Sequence, residues 1–209
     1  MRRNRRSAKN TKRQFSGKTP PLDVIVDHIG AKGDGVATGT IRLQYEDQNR
    51  PVFIPLSLPG ERVSARAQHD LGEGVACQLS EIIEPSPDRV DPTCGHFGAC
   101  GGCGLQHWAP SPYRQWKRSR IVAALGRAGV EAAEVDALIP AAPGTRRRAD
   151  FVMRRLSVGT VIGFHERGEN RIIDITECPI LEPELLTVAR SLPPISTDLL
   201  APGESARAT

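Results

Sequence analysis

The sequence predicts a small all-β barrel of the oligonucleotide-binding (OB) type, followed by an α+β unit that carries a cysteine-rich loop. Three observations predict this fold class. Short strand patterns recur at regular spacing early in the chain, one helical pattern with further strand patterns follows later, and three cysteines cluster between the two. We divide the chain into a basic tail (residues 1–22), the barrel (23–88) and the α+β unit (89–209).

The tail is polar and strongly basic, with eight Lys or Arg residues, no acidic residue and Phe15 as its one aromatic residue. Such a composition favours disorder, because little apolar surface is available for burial. Its charge fits either a solvated tail or an electrostatic arm for RNA. A mitochondrial transit peptide is a further alternative, although the tail has no apolar face.

The barrel prediction depends on five strand patterns that glycine and proline separate. Gly33 and Gly35 permit a sharp turn between the first two strands, and the Pro59-Gly60 pair is typical of a turn before another strand. The predicted strands cover residues 24–29, 35–43, 51–54, 62–67 and 75–83.

The second unit begins with a predicted helix that ends at Gly129. Ser111 is the expected N-cap, and Pro112 suits the first turn. The apolar face that the helical period predicts consists of Trp116, Ile121, Leu125 and Ala128.

Strand patterns follow this helix and lead directly to Cys178. They cover residues 146–156, 161–165 and 171–176, with a turn at residues 166–170. Residues 196–209 are small and polar, and we expect no regular element there.

The net charge of +4 conceals opposite charges along the chain. Residues 23–91 carry a net charge of −6 and residues 172–209 one of −4, whereas residues 104–171 carry +6. Attraction for a polyanion therefore lies in the tail and the middle segment.

Apolar runs are too short to cross a bilayer, and the start of the chain lacks the features of a secretory signal. We expect a cytoplasmic monomer without a membrane partner.

Five cysteines without a secretory signal argue against a disulfide framework and for metal binding. Cys94, Cys100 and Cys103 form a C-x5-C-x2-C pattern in a glycine-rich loop, and Cys178 follows 75 positions later, directly before Pro179. Glycines let such a loop wrap around a metal group and direct N–H groups toward sulfur. The fifth, Cys77, lies in a strand pattern and is expected to be a small buried residue.

The spacing favours a [4Fe–4S] cluster and leaves a structural zinc ion as the alternative. Zinc sites with four cysteines usually pair two C-x2-C motifs, whereas this sequence has one. A cysteine followed by proline also closes the ligand run of bacterial ferredoxins. His96 and His107 lie beside the ligands, and we expect neither to bind metal, because four cysteines already complete a cluster.

Several segments resemble the 23S ribosomal RNA (uracil-5-)-methyltransferase family, over about residues 22–185 and in the order of that family. The first three are similar to its TRAM domain and the exit from it, and the others to its cluster loop and central domain. They are residues 34–37 (DGVA), 59–63 (PGERV), 86–90 (SPDRV), 94–107, 146–148 (RRR), 163–164 (GF) and 178–179 (CP).

This resemblance implies an RNA methyltransferase that uses S-adenosyl-L-methionine (SAM) to methylate C5 of a uridine. In that family a cysteine thiolate adds to C6, C5 attacks the donor methyl group, and a carboxylate removes the C5 proton. The resemblance places Cys94, Cys100, Cys103 and Cys178 on the four [4Fe–4S] ligand positions.

The functional residues for methyl transfer belong to a C-terminal Rossmann-like domain in that family. This sequence has no glycine-rich SAM loop after a strand, and none of its five cysteines matches the nucleophile. We therefore assign no catalytic and no SAM-binding residue. We expect the chain to be the N-terminal and partial central region of such an enzyme, inactive on its own.

The alternative function is a stand-alone, non-catalytic RNA-binding module with an iron–sulfur cluster or zinc. In both hypotheses the partner is RNA, with ribosomal RNA expected from the resemblance and transfer RNA as the alternative. Basic side chains near aromatic residues are the candidate RNA contacts: Arg114, Lys117, Arg118, Arg146, Arg147 and Arg148.

Overall fold

A computed structural model describes residues 14–15, 19–43, 46–130 and 134–209. The chain divides into two compact units, Met1–Pro87 and Asp88–Thr209. Most of the predicted basic tail, residues 1–13 and 16–18, lies outside the described residues. Within the described part of the chain, no helix is both long and apolar enough to cross a membrane.

The first unit contains one sheet with the strand order β1-β5-β6-β4-β3-β2. The β-rich architecture predicted from the sequence is confirmed, although several strands have different lengths. The strands are β1 (Leu22–Ile25), β2 (His28–Ile29), β3 (Gly35–Leu43), β4 (Glu46–Ile54), β5 (Arg62–Asp70) and β6 (Val75–Glu84).

The sheet closes on itself where β1 passes into β2. These two strands lie at opposite ends of the strand order, yet only Val26 and Asp27 separate them in the chain. The N–H of Val26 donates to the carbonyl of Glu61 (2.9 Å), whereas the N–H of Asp27 donates to that of Val36 (2.8 Å). The predicted single strand at residues 24–29 is therefore two short strands, because the chain changes its pairing partner there and closes a barrel.

The barrel core contains side chains from every strand except the two-residue β2. In β5, Val63, Ala65 and Ala67 are buried at alternate positions, as the two-residue period of a strand requires. Phe15 also packs against this core, and its N–H donates to the carbonyl of Gln68 (2.9 Å). At Phe15 the structure thus differs from the disorder predicted for the tail, because this aromatic side chain gains apolar contacts with the barrel.

A buried carboxylate stabilises the turn before β5. Glu61 is fully buried, and its Oε2 accepts the N–H of Leu58 (2.8 Å) while its Oε1 accepts that of Ser86 (3.3 Å). A buried backbone N–H without a partner costs free energy. Glu61 therefore joins the predicted turn at Pro59-Gly60 to the last residues of the first unit.

The second unit contains an antiparallel sheet with the strand order β10-β7-β8-β9, together with three helices among its described residues. In chain order the elements are α1 (Pro110–Arg127), β7 (Phe151–Arg155), β8 (Thr160–His165), β9 (Ile172–Asp174), α2 (Pro183–Ser191), α3 (Pro193–Leu199) and β10 (Ser205–Ala208).

Helix α1 differs from its prediction at both its start and its apolar face. Its N-cap is Ala109, without a side-chain hydrogen bond, so the prediction of Ser111 as N-cap was wrong. No residue of α1 is buried, and Ile121 is 49% exposed. Of the predicted apolar face, Ile121 and Ala128 are exposed, whereas Trp116 is half-buried and its ring centre lies 6.1 Å from that of Trp108. Gly129 follows the helix with a positive φ of 79°, as expected of a helix end.

The sequence also missed elements after Cys178 and misjudged one strand. The strand predicted at residues 146–156 is confined to β7, because the backbone of Arg146 pairs with the segment at Leu181 and not with β8. Helices α2 and α3 were not predicted, and β10 forms within the stretch expected to be irregular. Strand β10 is hydrogen-bonded to β7, with Ser205 opposite Arg154.

A small apolar core lies between this sheet and α2. Its buried members are Ala149, Phe151, Ile162, Ile175, Leu181 and Ala189. At Gly163 of β8 a Cβ atom would lie 2.0 Å from the carbonyl oxygen of Ile173, so only glycine permits this close approach of β8 and β9. The packed sheet ends beside Cys178 and supports the cysteine-rich loop.

Candidate metal centre

All four cysteines of the predicted cluster site line a single pocket of about 220 Å³ in the second unit. Cys94, Cys100 and Cys103 come from the loop before α1, and Cys178 follows β9. The fifth cysteine, Cys77, is buried in the barrel core, as expected for a small apolar residue. Burial raises the pKa of the Cys77 thiol to about 12, so this side chain is an unreactive thiol.

The loop with three cysteines is hydrogen-bonded to the turn between β8 and β9. The N–H of Gly101 donates to the carbonyl of His165 (2.9 Å), and the N–H of Arg167 donates to that of Ala99 (3.0 Å). The guanidinium of Arg167 also donates to the carbonyl of Cys103 (2.6 Å). These bonds fix the loop on both sides of Cys100 at the end of β8.

Two further contacts bring the start of the loop to Cys178. The N–H of Gly95 donates to the carboxylate of Glu177 (2.6 Å), and the N–H of Thr176 donates to Nε2 of His96 (3.0 Å). His96 therefore acts as a hydrogen-bond acceptor that joins residues far apart in sequence. The sequence assigned His96 no metal role, and the geometry gives it this structural one.

Negative charge is unfavourable at Cys100 in the absence of a cation. Burial raises the pKa of its thiol, and the neighbouring charges of Cys103, Cys94 and Cys178 raise it further. The N–H of Gly102 donates to its sulfur at 3.4 Å and acts in the opposite direction. Without a cation nearby, Cys100 therefore favours its neutral thiol form.

The four thiols do not surround a point. Within the described ranges, no group of three or more His, Cys, Asp or Glu side chains converges as ligands of a metal ion. The pocket between the cysteines far exceeds the roughly 10–15 Å³ that one water molecule requires. The residues thus leave space for a group of several atoms.

Several pocket residues were not recognised from the sequence. Gln106, Asp150 and Glu177 line the pocket, and so does Arg146, which the sequence proposed only for RNA contact. The Oε1 atom of Gln106 is buried and has no hydrogen-bond partner among the described residues. Apart from the arginine run at 146–148, no local spacing marks these positions, because the fold brings them together from distant segments.

The candidate RNA contacts on α1 are exposed and partly engaged in local contacts. The ammonium of Lys117 lies 5.5 Å from the ring centre of Tyr113 and 5.6 Å from that of Trp116. Nε of Arg118 donates to the carbonyl of Val135 (2.7 Å), and Arg114 is also exposed. Contact of these side chains with RNA stays a prediction.

The arginine run at residues 146–148 is also exposed, but its members differ in surroundings. Arg146 lines the cysteine pocket, and its Nε donates to the carbonyl of Arg148 (3.1 Å). Arg147 and Arg148 do not line this pocket. Phosphate contact by the run likewise stays a prediction.

Known proteins similar to this chain are RNA methyltransferases by name. An uncharacterized RNA methyltransferase of Brucella suis is 39% identical over 183 residues, which are 86% of this chain and 40% of that protein. One from Caulobacter vibrioides is 38% identical over 88% of this chain and 42% of that protein. The 23S rRNA (uracil(1939)-C(5))-methyltransferase RlmD of Halomonas elongata is 34% identical over 91% of this chain and 38% of that protein.

The chain is homologous to RNA methyltransferases. The relationship that its motifs predicted is therefore confirmed. The chain spans about two fifths of the length of these relatives.

No protein-family model matches the chain. A solved structure of Pyrococcus abyssi tRNA (uracil-54, C5)-methyltransferase in complex with S-adenosyl-L-homocysteine is similar to this chain. The similarity covers 85% of this chain and 37% of the Pyrococcus abyssi chain. Its TM-score is 0.49 at 23% sequence identity.

Proposed function

We propose that this chain is the RNA-binding, [4Fe–4S]-bearing part of a SAM-dependent RNA (uracil-C5) methyltransferase that acts on ribosomal RNA. The observation that carries the proposal is the pocket lined by Cys94, Cys100, Cys103 and Cys178, in a chain homologous to RNA methyltransferases. The substrate class follows the name of the Halomonas elongata relative.

Among the described residues the four thiols do not converge on one ion, which favours a cluster over zinc. Zinc binds cysteine sulfur at about 2.3 Å in a tetrahedron, so four thiolates around it would leave no space between them. A [4Fe–4S] group is larger and takes four cysteine ligands, one for each iron. The pocket of about 220 Å³ is lined by four cysteines, the ligand set of such a group, whose iron core would also supply positive charge to the thiolates.

The first unit is proposed to be a TRAM domain of OB type. Its barrel closes through β1 and β2, and its β4 and β6 pair in parallel, Val52 opposite Val75. Because residues 23–91 carry a net charge of −6, we place the main electrostatic attraction for RNA on residues 104–171 of the second unit. The basic side chains of α1 and the arginine run are the proposed contacts.

Metal analysis of the full chain, purified without oxygen, tests the cluster. We expect about four irons and four sulfides per chain, with the brown colour of a [4Fe–4S] centre. Cys100→Ser and Cys178→Ser should abolish it. The control is Cys77→Ala, which removes a buried thiol of the barrel and should leave the iron content unchanged. One zinc and no iron after anaerobic reconstitution would favour the zinc module instead.

Methyl transfer is proposed to require residues outside this chain. We expect no transfer when the chain alone is given SAM and unmodified ribosomal RNA, since no residue in it is assigned as nucleophile or SAM ligand. Detection of 5-methyluridine that disappears when one of the five cysteines is replaced would contradict this part of the proposal.

A further inference from the structure

We propose that Arg146 is a positioning residue whose guanidinium acts as the counter-charge of the [4Fe–4S] group in the cysteine pocket. Its positive charge stabilises the cluster against oxidation and raises its reduction potential. The inference rests on the proposed function, because it requires that the pocket hold a cluster. It gives Arg146 a role separate from RNA contact.

Negative charge predominates around the pocket, and Arg146 offsets part of it. A [4Fe–4S] group with four thiolate ligands carries about two negative charges in its oxidised form. Asp150 and Glu177 also line the pocket and add carboxylates. Arg146 is the single Lys or Arg among the described residues that line it. Arg167 contacts the loop at the carbonyl of Cys103 but does not line the pocket.

The backbone of Arg146 is tied to the segment that follows Cys178. Its N–H donates to the carbonyl of Ile180 (3.0 Å), and its carbonyl accepts the N–H of Glu182 (3.1 Å). These bonds hold the backbone of Arg146 beside the segment that follows the fourth ligand, and its Nε donates to the carbonyl of Arg148 (3.1 Å). A positive charge near the cluster stabilises its negative charge by Coulomb attraction, and solvent weakens this effect because Arg146 is exposed.

The neighbouring arginine is a matched control that the chain itself provides. Arg147 is adjacent in sequence and exposed, yet it does not line the pocket. Both side chains add one positive charge to the same region of the surface. A general effect of surface charge on the cluster would therefore be similar in Arg147→Ala and Arg146→Ala.

The experiment compares Arg146→Ala, Arg146→Lys and Arg146→Gln with Arg147→Ala in the full chain, purified anaerobically with its cluster. The first readout is the rate at which cluster absorbance is lost to ferricyanide. The second is the midpoint of one-electron reduction in a mediated dithionite titration. We expect Arg146→Ala to lose its cluster on the order of tenfold faster. Its midpoint should fall by about 59 mV, a tenfold change in the one-electron equilibrium constant.

The two polar variants separate charge from hydrogen bonding. Lysine keeps the charge and loses the planar donor that bonds the carbonyl of Arg148, whereas glutamine keeps an N–H donor without charge. The proposal requires that Arg146→Lys resemble wild type and Arg146→Gln resemble Arg146→Ala. The opposite pattern would assign the effect to the hydrogen bond and overturn the proposal.

Two further outcomes are distinguishable. If wild type carries four irons and Arg146→Ala behaves like Arg147→Ala in both readouts, the proposed function stands and this inference is wrong. If wild type binds zinc or no metal, the proposed function fails, and the role of Arg146 fails with it.

Discussion

The two units are stabilised by different means. Among the described residues, the barrel buries 11 side chains in one apolar cluster, whereas the longer second unit buries six in its own. The cysteine-rich loop of the second unit is instead anchored by hydrogen bonds, such as Gly101 to His165 and Gly95 to Glu177. Apolar burial needs no ligand, whereas the four clustered thiols are proposed to bind one. The barrel should therefore fold without metal, and the loop of the second unit should depend on it.

The largest expected effect comes from removing a ligand of the proposed cluster. Cys178→Ser should abolish the cluster and expose the loop, because the proposed cluster loses one of its four ligands and no longer ties the loop to the sheet. Hydrogen exchange followed by mass spectrometry should show lost protection at residues 94–107 and 160–182, with the barrel strands unchanged. Protection lost equally in both units would contradict the comparison. Cys77→Ala, made in parallel, should leave the loop protected.

The second prediction concerns the barrel core. Ile54 is fully buried, so Ile54→Ala should lower the free energy of unfolding of the barrel by about 2–5 kcal/mol through lost burial and the cavity left behind. Ile25 on β1 is 62% exposed, and Ile25→Ala should cost less than about 0.5 kcal/mol. Urea unfolding with the iron content measured alongside tests both. Loss of iron in Ile54→Ala would show that the cluster depends on the barrel.

The third prediction concerns the buried carboxylate of the barrel. Glu61→Gln replaces one of the two acceptor oxygens by an NH2 group. This group then faces the N–H of Ser86 or, if the amide is turned over, the N–H of Leu58. One buried donor then lacks an acceptor, which costs about 1–3 kcal/mol. Glu84 is exposed and bonds Arg62, and Glu84→Gln is the matched control with a smaller expected change. Equal destabilisation by the two substitutions in urea would contradict the role of burial.

Local periodicity and cysteine chemistry explain what could be predicted from the sequence. Val63, Ala65 and Ala67 alternate with exposed residues, and this pattern predicts β5 without knowledge of its partners. Cys94, Cys100 and Cys103 share one loop, so their approach to each other follows from spacing alone. To predict the pocket from the sequence, the one further assumption was that the fold brings Cys178 to these three cysteines.

Features that depend on distant pairing could not be predicted in this way. Strand β10 consists of Ser205–Ala208, none of which is a β-branched or aromatic residue, and it forms because β7 offers an edge. The pocket position of Arg146 likewise depends on backbone bonds to Ile180 and Glu182. Its place in the arginine run indicated only a charged surface.

The smallest expected effect is a pH dependence at an exposed ion pair of the barrel. The guanidinium of Arg62 donates to both carboxylate oxygens of Asp23, at 2.9 and 2.8 Å, and this hydrogen bonding lowers the pKa of Asp23 below its usual 3.8. A lowered folded-state pKa means that the stabilisation is complete above the unfolded pKa. It is lost as the pH falls through the lower, folded value. Both side chains are about half exposed (45% and 50%), so salt should weaken the effect.

An NMR titration of the Asp23 carboxyl carbon measures this shift directly. The midpoint in wild type should lie below 3.8 and should rise toward it in Arg62→Gln, which removes the charge and one of the two donors. The same rise should follow from high salt in wild type, because the pair is exposed to solvent. Glu166 provides the counterpart in the second unit, since Arg171 likewise lowers its pKa by hydrogen bonding. If Asp23 titrates at or above its usual value at low salt, the pair does not form in solution. The barrel would then rely on its apolar core with no contribution from this contact.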